Sequence, residues 1–146
     1  MSTTSSSLPA TSWWLLLVTW LLALLSTIAV LFVGEVMGQA PCLLCWFQRT
    51  FMFPLAVIIG VACYVSDFGV WRYGLPIAAM GWLIALYHSL LYTGVIPEGI
   101  KPCGAGPSCS GAKMTILGAL PLPLLSLGVF TVIIVLLNLV RRRHTE

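Results

Sequence analysis

From Trp13 to Val33 the chain runs for 21 residues without one charged side chain. As a helix, at 1.5 Å per residue, such a run is about 30 Å long, the thickness of a bilayer's hydrocarbon core. Three more apolar runs follow, over residues 46–65, 73–92 and 120–140. Charged residues make up 8% of the chain and the mean hydropathy is +1.04, against roughly 25% charged for a soluble domain. The composition therefore describes an integral membrane protein. Its 146 residues hold four spans with short connections and leave no room for a second domain. The expected fold is all-α, an antiparallel bundle of four transmembrane helices in a single domain over 1–146, with residues 1–12 a disordered Ser/Thr-rich tail.

A cleaved signal peptide is the rival reading of the first run, because Gly38, Gln39 and Ala40 offer small residues at cleavage spacing. The apolar run exceeds an h-region of about 7–15 residues and no basic segment precedes it, so it reads as a retained span. Within the second run Pro54 is expected to kink the helix, and Pro121 and Pro123 fall in the first turn of the fourth, where a missing amide donor matters little. The net charge of +3 comes mostly from Arg141, Arg142 and Arg143 after the last run, which suits an anionic cytoplasmic leaflet and gives no reason to invoke nucleic acid. Trp13, Trp14, Trp46 and Trp71 sit near the expected helix ends, as an interfacial aromatic belt requires.

Five cysteines carry the chemistry: Cys42 and Cys45 spaced C-x2-C, Cys103 and Cys109 spaced C-x5-C in the Gly- and Pro-rich connection 94–118, and Cys63 alone in the second span. Both pairs fall on the membrane face opposite the arginine tail. Two pairs on one face make sense in an oxidising compartment, which places both termini in the cytoplasm and both cysteine-bearing loops outside it. Each pair can close a disulfide locally, since short local segments bring two α-carbons within about 4.4–6.8 Å. Cys45 is the candidate electron-transfer sulfur: a helix N-terminus favours a thiolate, and Arg49 follows four residues later on the same helical face. Structural staples are the plain alternative. A tetrathiolate zinc site is disfavoured by the C-x5-C spacing and the lack of an aqueous fold, so no metal is expected.

The run Pro41-Cys42-Leu43-Leu44-Cys45-Trp46-Phe47-Gln48-Arg49 resembles the signature of the DsbB/BdbC family of bacterial membrane thiol-disulfide oxidoreductases. The likeness continues through Leu86-Tyr87-His88, the C-x5-C pair, and Pro121 to Leu127, over nearly the whole chain. The short second loop is similar to the compact BdbC-type branch; the best-known proteobacterial member separates its loop cysteines widely.

The resemblance implies a bacterial cytoplasmic (inner) membrane enzyme. It would reoxidise a DsbA/BdbD-like thioredoxin-fold partner and pass the electrons to a quinone, ubiquinone or menaquinone. Carried onto this chain, Cys42, Cys45, Cys103 and Cys109 are the catalytic residues, with Cys103 the mixed-disulfide position and Cys42 exchanging with the loop pair. Cys45 and Arg49 face the quinone.

His88 is a further candidate for that site, as a donor to a quinone carbonyl or a proton carrier, with a structural hydrogen bond as its plain reading. For Arg49 the plain reading is a snorkelling anchor, since an arginine costs about 2.5–3.5 kcal/mol at a membrane centre and little at its edge. Gln48 is expected to orient backbone or water, and Cys63 to be a small buried apolar residue. Glu35, Glu98, Lys101 and Lys113 read as a solvated outer face, and Trp82 as lipid-facing or core. Two other readings remain open. One is a protein resembling the vitamin K epoxide reductase family, whose C-x-x-C lies late in the chain whereas this one follows the first span. The other is a non-enzymatic tetraspan protein with structural loop disulfides.

Overall fold

The computed structural model of the protein describes residues 8–38, 41–96, 115–116 and 120–145. Four helices account for most of it: α1 (Leu8–Leu31), α2 (Leu43–Val65), α3 (Trp71–Tyr92) and α4 (Leu122–Thr145). All four are long and apolar enough to cross a membrane. Helix α1 packs on α2 and α4, and α3 packs on α2 and α4, so the bundle closes as a ring with chain neighbours side by side. Short strands β1 (Thr115–Ile116) and β2 (Leu120–Pro121) pair antiparallel just before α4, with Thr115 opposite Pro121 and Ile116 opposite Leu120.

Several boundaries differ from the sequence expectation. Helix α1 begins at Leu8 inside the segment read as a disordered tail; Pro9 falls in its first turn, which needs no amide donor, and Ser12 is already buried. Its far end widens into a π turn, Phe32–Val36. Helix α2 starts at Leu43, three residues early, because Cys42 caps it, and it runs through Pro54. It ends at Ser66, whose φ of 54° is left-handed, and Cys63 lies near this end. Asp67 then caps a 3-10 turn, Phe68–Val70, by accepting the Gly69 amide at 2.8 Å, and α3 starts at Trp71 within the expected polar connection. Helix α4 starts at Leu122, so Pro121 belongs to β2 and only Pro123 lies in the first helical turn.

Lipid tails are as apolar as leucine, so helix association here rests on close packing of small residues. The core follows this rule: Ala23, Ala56, Ala62, Ala78 and Ala85 are buried among Leu16, Leu55, Ile59, Phe130, Ile133 and Leu137. Gly81 of α3 receives the Phe130 ring so closely that a Cβ there would collide with it. Trp82 sets its indole N–H on the Thr131 hydroxyl at 2.9 Å, between the same two helices. At the arginine end the Trp71 ring lies 5.5 Å from the Arg72 guanidinium and 5.0 Å from that of Arg141. Trp13 donates to the Cys63 carbonyl at 3.2 Å, joining the start of α1 to the end of α2.

The Gly81 contact gives a stability test. Gly81→Ala should destabilise the bundle by about 1–3 kcal/mol through overpacking. Gly128→Ala, where an added Cβ meets nothing within 4 Å, should be neutral or gain up to about 1 kcal/mol from helix propensity. Thermal unfolding of the two variants in detergent checks the contrast; equal midpoints would remove the close approach.

Candidate functional site

The first amides of a helix have no intrahelical partner, and the residue ahead of them decides who accepts. Here that residue is Cys42, in extended conformation (φ −69°, ψ 167°), and its sulfur accepts the Cys45 amide at 3.4 Å. The C-x-x-C spacing puts Cys45 in the first turn, with its Sγ 3.2 Å from Cys42 Sγ; both are free thiols. Cys42 is 1% exposed and Cys45 half-buried. Leu44 and Leu91 close over Cys42, with Ile84, Tyr87 and Ile96 at the margin.

Helix α3 contributes what the spacing on α2 does not reveal. His88 is fully buried, and its Nε2 lies 3.8 Å from Cys42 Sγ. On its other side, Nδ1 is 3.2 Å from the side-chain amide nitrogen of Gln48. Gln48 is therefore the partner of His88, where the sequence pointed to backbone or water. With the amide N–H donating to Nδ1, the ring proton is on Nε2 and points at the Cys42 sulfur. One residue further, the Ser89 hydroxyl donates to the carbonyls of Ala85 (2.7 Å) and Pro123 (3.1 Å), which ties α3 to the start of α4 beside the site.

These contacts decide where charge sits in the reduced pair. The side-chain contact with Cys45, reinforced by His88 and the Cys45 amide, lowers the Cys42 thiol to about 4 against the opposing effect of burial. The capping position, which receives the free amide, belongs to Cys42, the first cysteine of the motif, while the sequence singles out the second, Cys45, as the electron-transfer sulfur.

Arg49, expected beside Cys45, is 8% exposed and turns towards α1, where its Nη2 donates to the Val30 carbonyl at 3.0 Å, just before the π turn. Its guanidinium passes Gly34, where an added Cβ would sit 2.8 Å from Nη2, and lies 5.5 Å from the Trp46 ring centroid. Arg49 Nε is buried without a hydrogen-bond partner among the described residues. Helix α2 thus sends Gln48 to α3 and Arg49 to α1 from adjacent positions. Glu35 is exposed in the π turn, and Cys63 is buried near the other end of α2. Cys103, Cys109, Glu98, Lys101 and Lys113 lie outside the described residues.

A bundle of four membrane-crossing helices with a capped, charge-stabilised dithiol at one helix start defines a membrane protein built for thiol-disulfide chemistry. The family model described as "Disulfide bond formation protein DsbB" matches residues 10–140, and the chain belongs to this family. It is 62% identical over 135 residues to a "Probable disulfide formation protein" of Metapseudomonas resinovorans, covering 92% of this chain and 94% of that one. A "Probable disulfide formation protein" of Deinococcus radiodurans is 41% identical over 135 residues, covering 86% and 88%. "Disulfide bond formation protein C" of Bacillus subtilis is 36% identical over 127 residues, covering 87% and 92%. No solved structure matches the chain.

A depressed thiol stays ionised between its lowered value and that of a free thiol, near 8.5. The ultraviolet thiolate absorbance of the reduced protein should therefore persist as the pH falls and disappear only towards pH 4. Cys42→Ser should remove this acidic titration, Cys63→Ser should leave it, and His88→Ala should move it upward. A wild type whose thiolate vanishes by pH 7 would refute the capping account.

Proposed function

We propose that the protein is a quinone-dependent thiol-disulfide oxidoreductase that reoxidises an extracytoplasmic, thioredoxin-fold dithiol partner of the DsbA/BdbD kind. The observation that carries this reading is the placement of the Cys42–Cys45 dithiol at a span end, with Arg49 Nε, a buried donor lacking an acceptor among the described residues, one turn further in. A staple has no use for a hydrogen bond to a buried imidazole or for a spare guanidinium donor one turn further along the helix. We place the protein in the bacterial inner membrane with both termini cytoplasmic, since the triple arginine and Arg72 mark one end of the bundle and the thiol pair the other.

In the proposed cycle a thiolate of the reduced partner attacks the Cys103–Cys109 disulfide at Cys103, releasing Cys109. The partner's second thiol then closes its own disulfide and leaves the loop pair as a dithiol. Ile96, which packs at the Cys42 cluster, is seven residues before Cys103, a tether of at most about 25 Å. A loop thiolate attacks Cys42 Sγ, the Cys42–Cys45 bond breaks, and Cys45 leaves carrying the electron pair. The other loop thiol resolves the mixed disulfide and frees Cys42. Two electrons and one proton have then moved onto the first pair, and the second proton is released. Cys42 keeps the charge, held by the Cys45 thiol, the Cys45 amide and His88, and this stabilises it as a leaving group.

The residues present fit a quinone. Arg49 Nε offers a buried donor to a carbonyl oxygen, and half-buried Cys45 is the more accessible of the two sulfurs. When bound there, a quinone supplies the acceptor for two electrons and two protons as the Cys42–Cys45 bond re-forms. Gln48 holds the His88 ring and with it a proton at Nε2, and the Arg49 fork is held in turn by Val30 and Trp46.

The deciding experiment is quinone reduction by the purified protein, given a reduced thioredoxin-like dithiol, with each of Cys42, Cys45, Cys103 and Cys109 replaced in turn. Every replacement should abolish turnover while the protein still inserts. Quinone reduction that survives Cys45→Ala, or a wild type that reduces none, would defeat the assignment. Arg49→Lys retains the charge and loses the planar fork, so quinone affinity should weaken without vanishing; an unchanged apparent KM for quinone would remove Arg49 from the site.

A further inference from the structure

The donor atoms around Cys42 have a geometry that disulfide exchange alone does not call for. The sulfurs of Cys42 and Cys45 and a ring nitrogen of His88 all lie within 4.8 Å of one another. A tetrahedral divalent cation holds thiolate sulfur at about 2.3 Å and imidazole nitrogen at about 2.0–2.1 Å, so its donors stand about 3.8 Å (S to S) and 3.6 Å (S to N) apart. The observed separations are 3.2 Å between the sulfurs and 3.8 Å from Cys42 Sγ to His88 Nε2. A rotation of the Cys45 side chain that parts the sulfurs by roughly half an ångström and draws its Sγ, within 4.8 Å of the ring nitrogen, closer to the ring brings all three into ligating position.

Two further features point the same way. A metal-bound imidazole is normally oriented by a hydrogen bond at its other nitrogen, and Gln48 already occupies Nδ1 at 3.2 Å. Turning the Gln48 amide over presents its oxygen to an Nδ1–H, which leaves Nε2 free to ligate. Charge then selects the ion. Two thiolates and a neutral imidazole with a dication sum to zero, the charge that a site 0–1% exposed at His88 and Cys42 tolerates best, whereas a monocation leaves an uncompensated negative charge. Sulfur ligands narrow the dications to the zinc class.

We propose that the reduced Cys42–Cys45 pair and His88 form a binding site for a zinc-class divalent cation, and that the bound ion holds both sulfurs out of disulfide exchange. The second half rests on the oxidoreductase reading; the first does not. Binding breaks the Cys45 S–H bond, and that of Cys42 where it is still protonated, forms two metal–sulfur bonds and one metal–nitrogen bond, and releases one or two protons, with no change of oxidation state. Three protein ligands leave the fourth position to water on the half-buried Cys45 side. The ion acts as a brake that engages only after the pair has been reduced.

The test uses the full chain in detergent with Cys103→Ser and Cys109→Ser, so that the loop pair cannot bind metal, reduced and freed of reductant. Titration with cobalt(II) as the probe should give sulfur-to-cobalt charge-transfer and tetrahedral visible bands saturating at one equivalent and displaced by zinc(II). His88→Ala should weaken binding at least about tenfold, and Gln48→Leu, which keeps all three ligands, about 10–100-fold. Zinc should also protect Cys45 from alkylation and stop turnover of the wild type. Cobalt bands unchanged in His88→Ala or surviving Cys42→Ser, or no bands at all, would overturn the site. Metal-free turnover of the wild type separates the two readings. Turnover without cobalt binding overturns the site alone, cobalt binding without turnover overturns the oxidoreductase and the brake, and turnover that continues in the zinc-loaded protein overturns the brake.

Discussion

Hydrocarbon offers no partner to a peptide N–H or C=O, so a chain that crosses it must satisfy its backbone within each span. That constraint turns the four apolar runs into helices and also decides where chemistry can be done. Within a span every amide is committed; only at a helix start do free donors remain, and there the Cys42 sulfur takes one. The stabilised sulfur is thus a by-product of how the membrane forces the chain to fold, with the charge of the reduced pair falling on the capping residue.

The same constraint explains the company that the dithiol keeps. Buried polar side chains are expensive in a membrane bundle unless they find partners, and Gln48 with the His88 ring, Ser89 with the Pro123 carbonyl, and Arg49 with the Val30 carbonyl all do so within two turns of the helix ends around the site. Below that layer the contacts become almost wholly apolar, with alanines and glycines letting α3 approach α4 at Gly81 and Phe130. Close packing at that level fixes the rotation of α3, and the rotation of α3 brings His88 to Cys42. Stability in the small-residue layer and reactivity at the mouth are therefore coupled through one helix.

The opposite end is organised by other means. Trp71 stands between Arg72 and Arg141, and Asp67 caps the tight 3-10 turn while accepting the Tyr73 hydroxyl at 2.7 Å. Nothing at that end resembles a site for thiol chemistry among the described residues. The bundle is polarised, with charge-assisted anchoring on one side and a reactive pair on the other.

Much of this was legible in the sequence because it depends on local composition and spacing. Four long apolar runs read as spans, C-x-x-C before a helix places two sulfurs within reach of each other, and a triple arginine marks an end. The places where the reading missed are local too: the start of α1 at Leu8 and the capping role of Cys42 turn on one or two residues at a helix boundary, where apolar periodicity gives no signal. The pairing of Gln48 with His88, the turn of Arg49 away towards Val30, and the closeness of His88 to Cys42 join residues up to 46 positions apart. Those depend on the rotation of each helix about its own axis, which is set by interlocking side chains on neighbouring helices. Sequence determined that the protein crosses a membrane and carries a reactive thiol pair at a helix start; the tertiary structure decided which side chains attend that pair, because only packing brings those groups together.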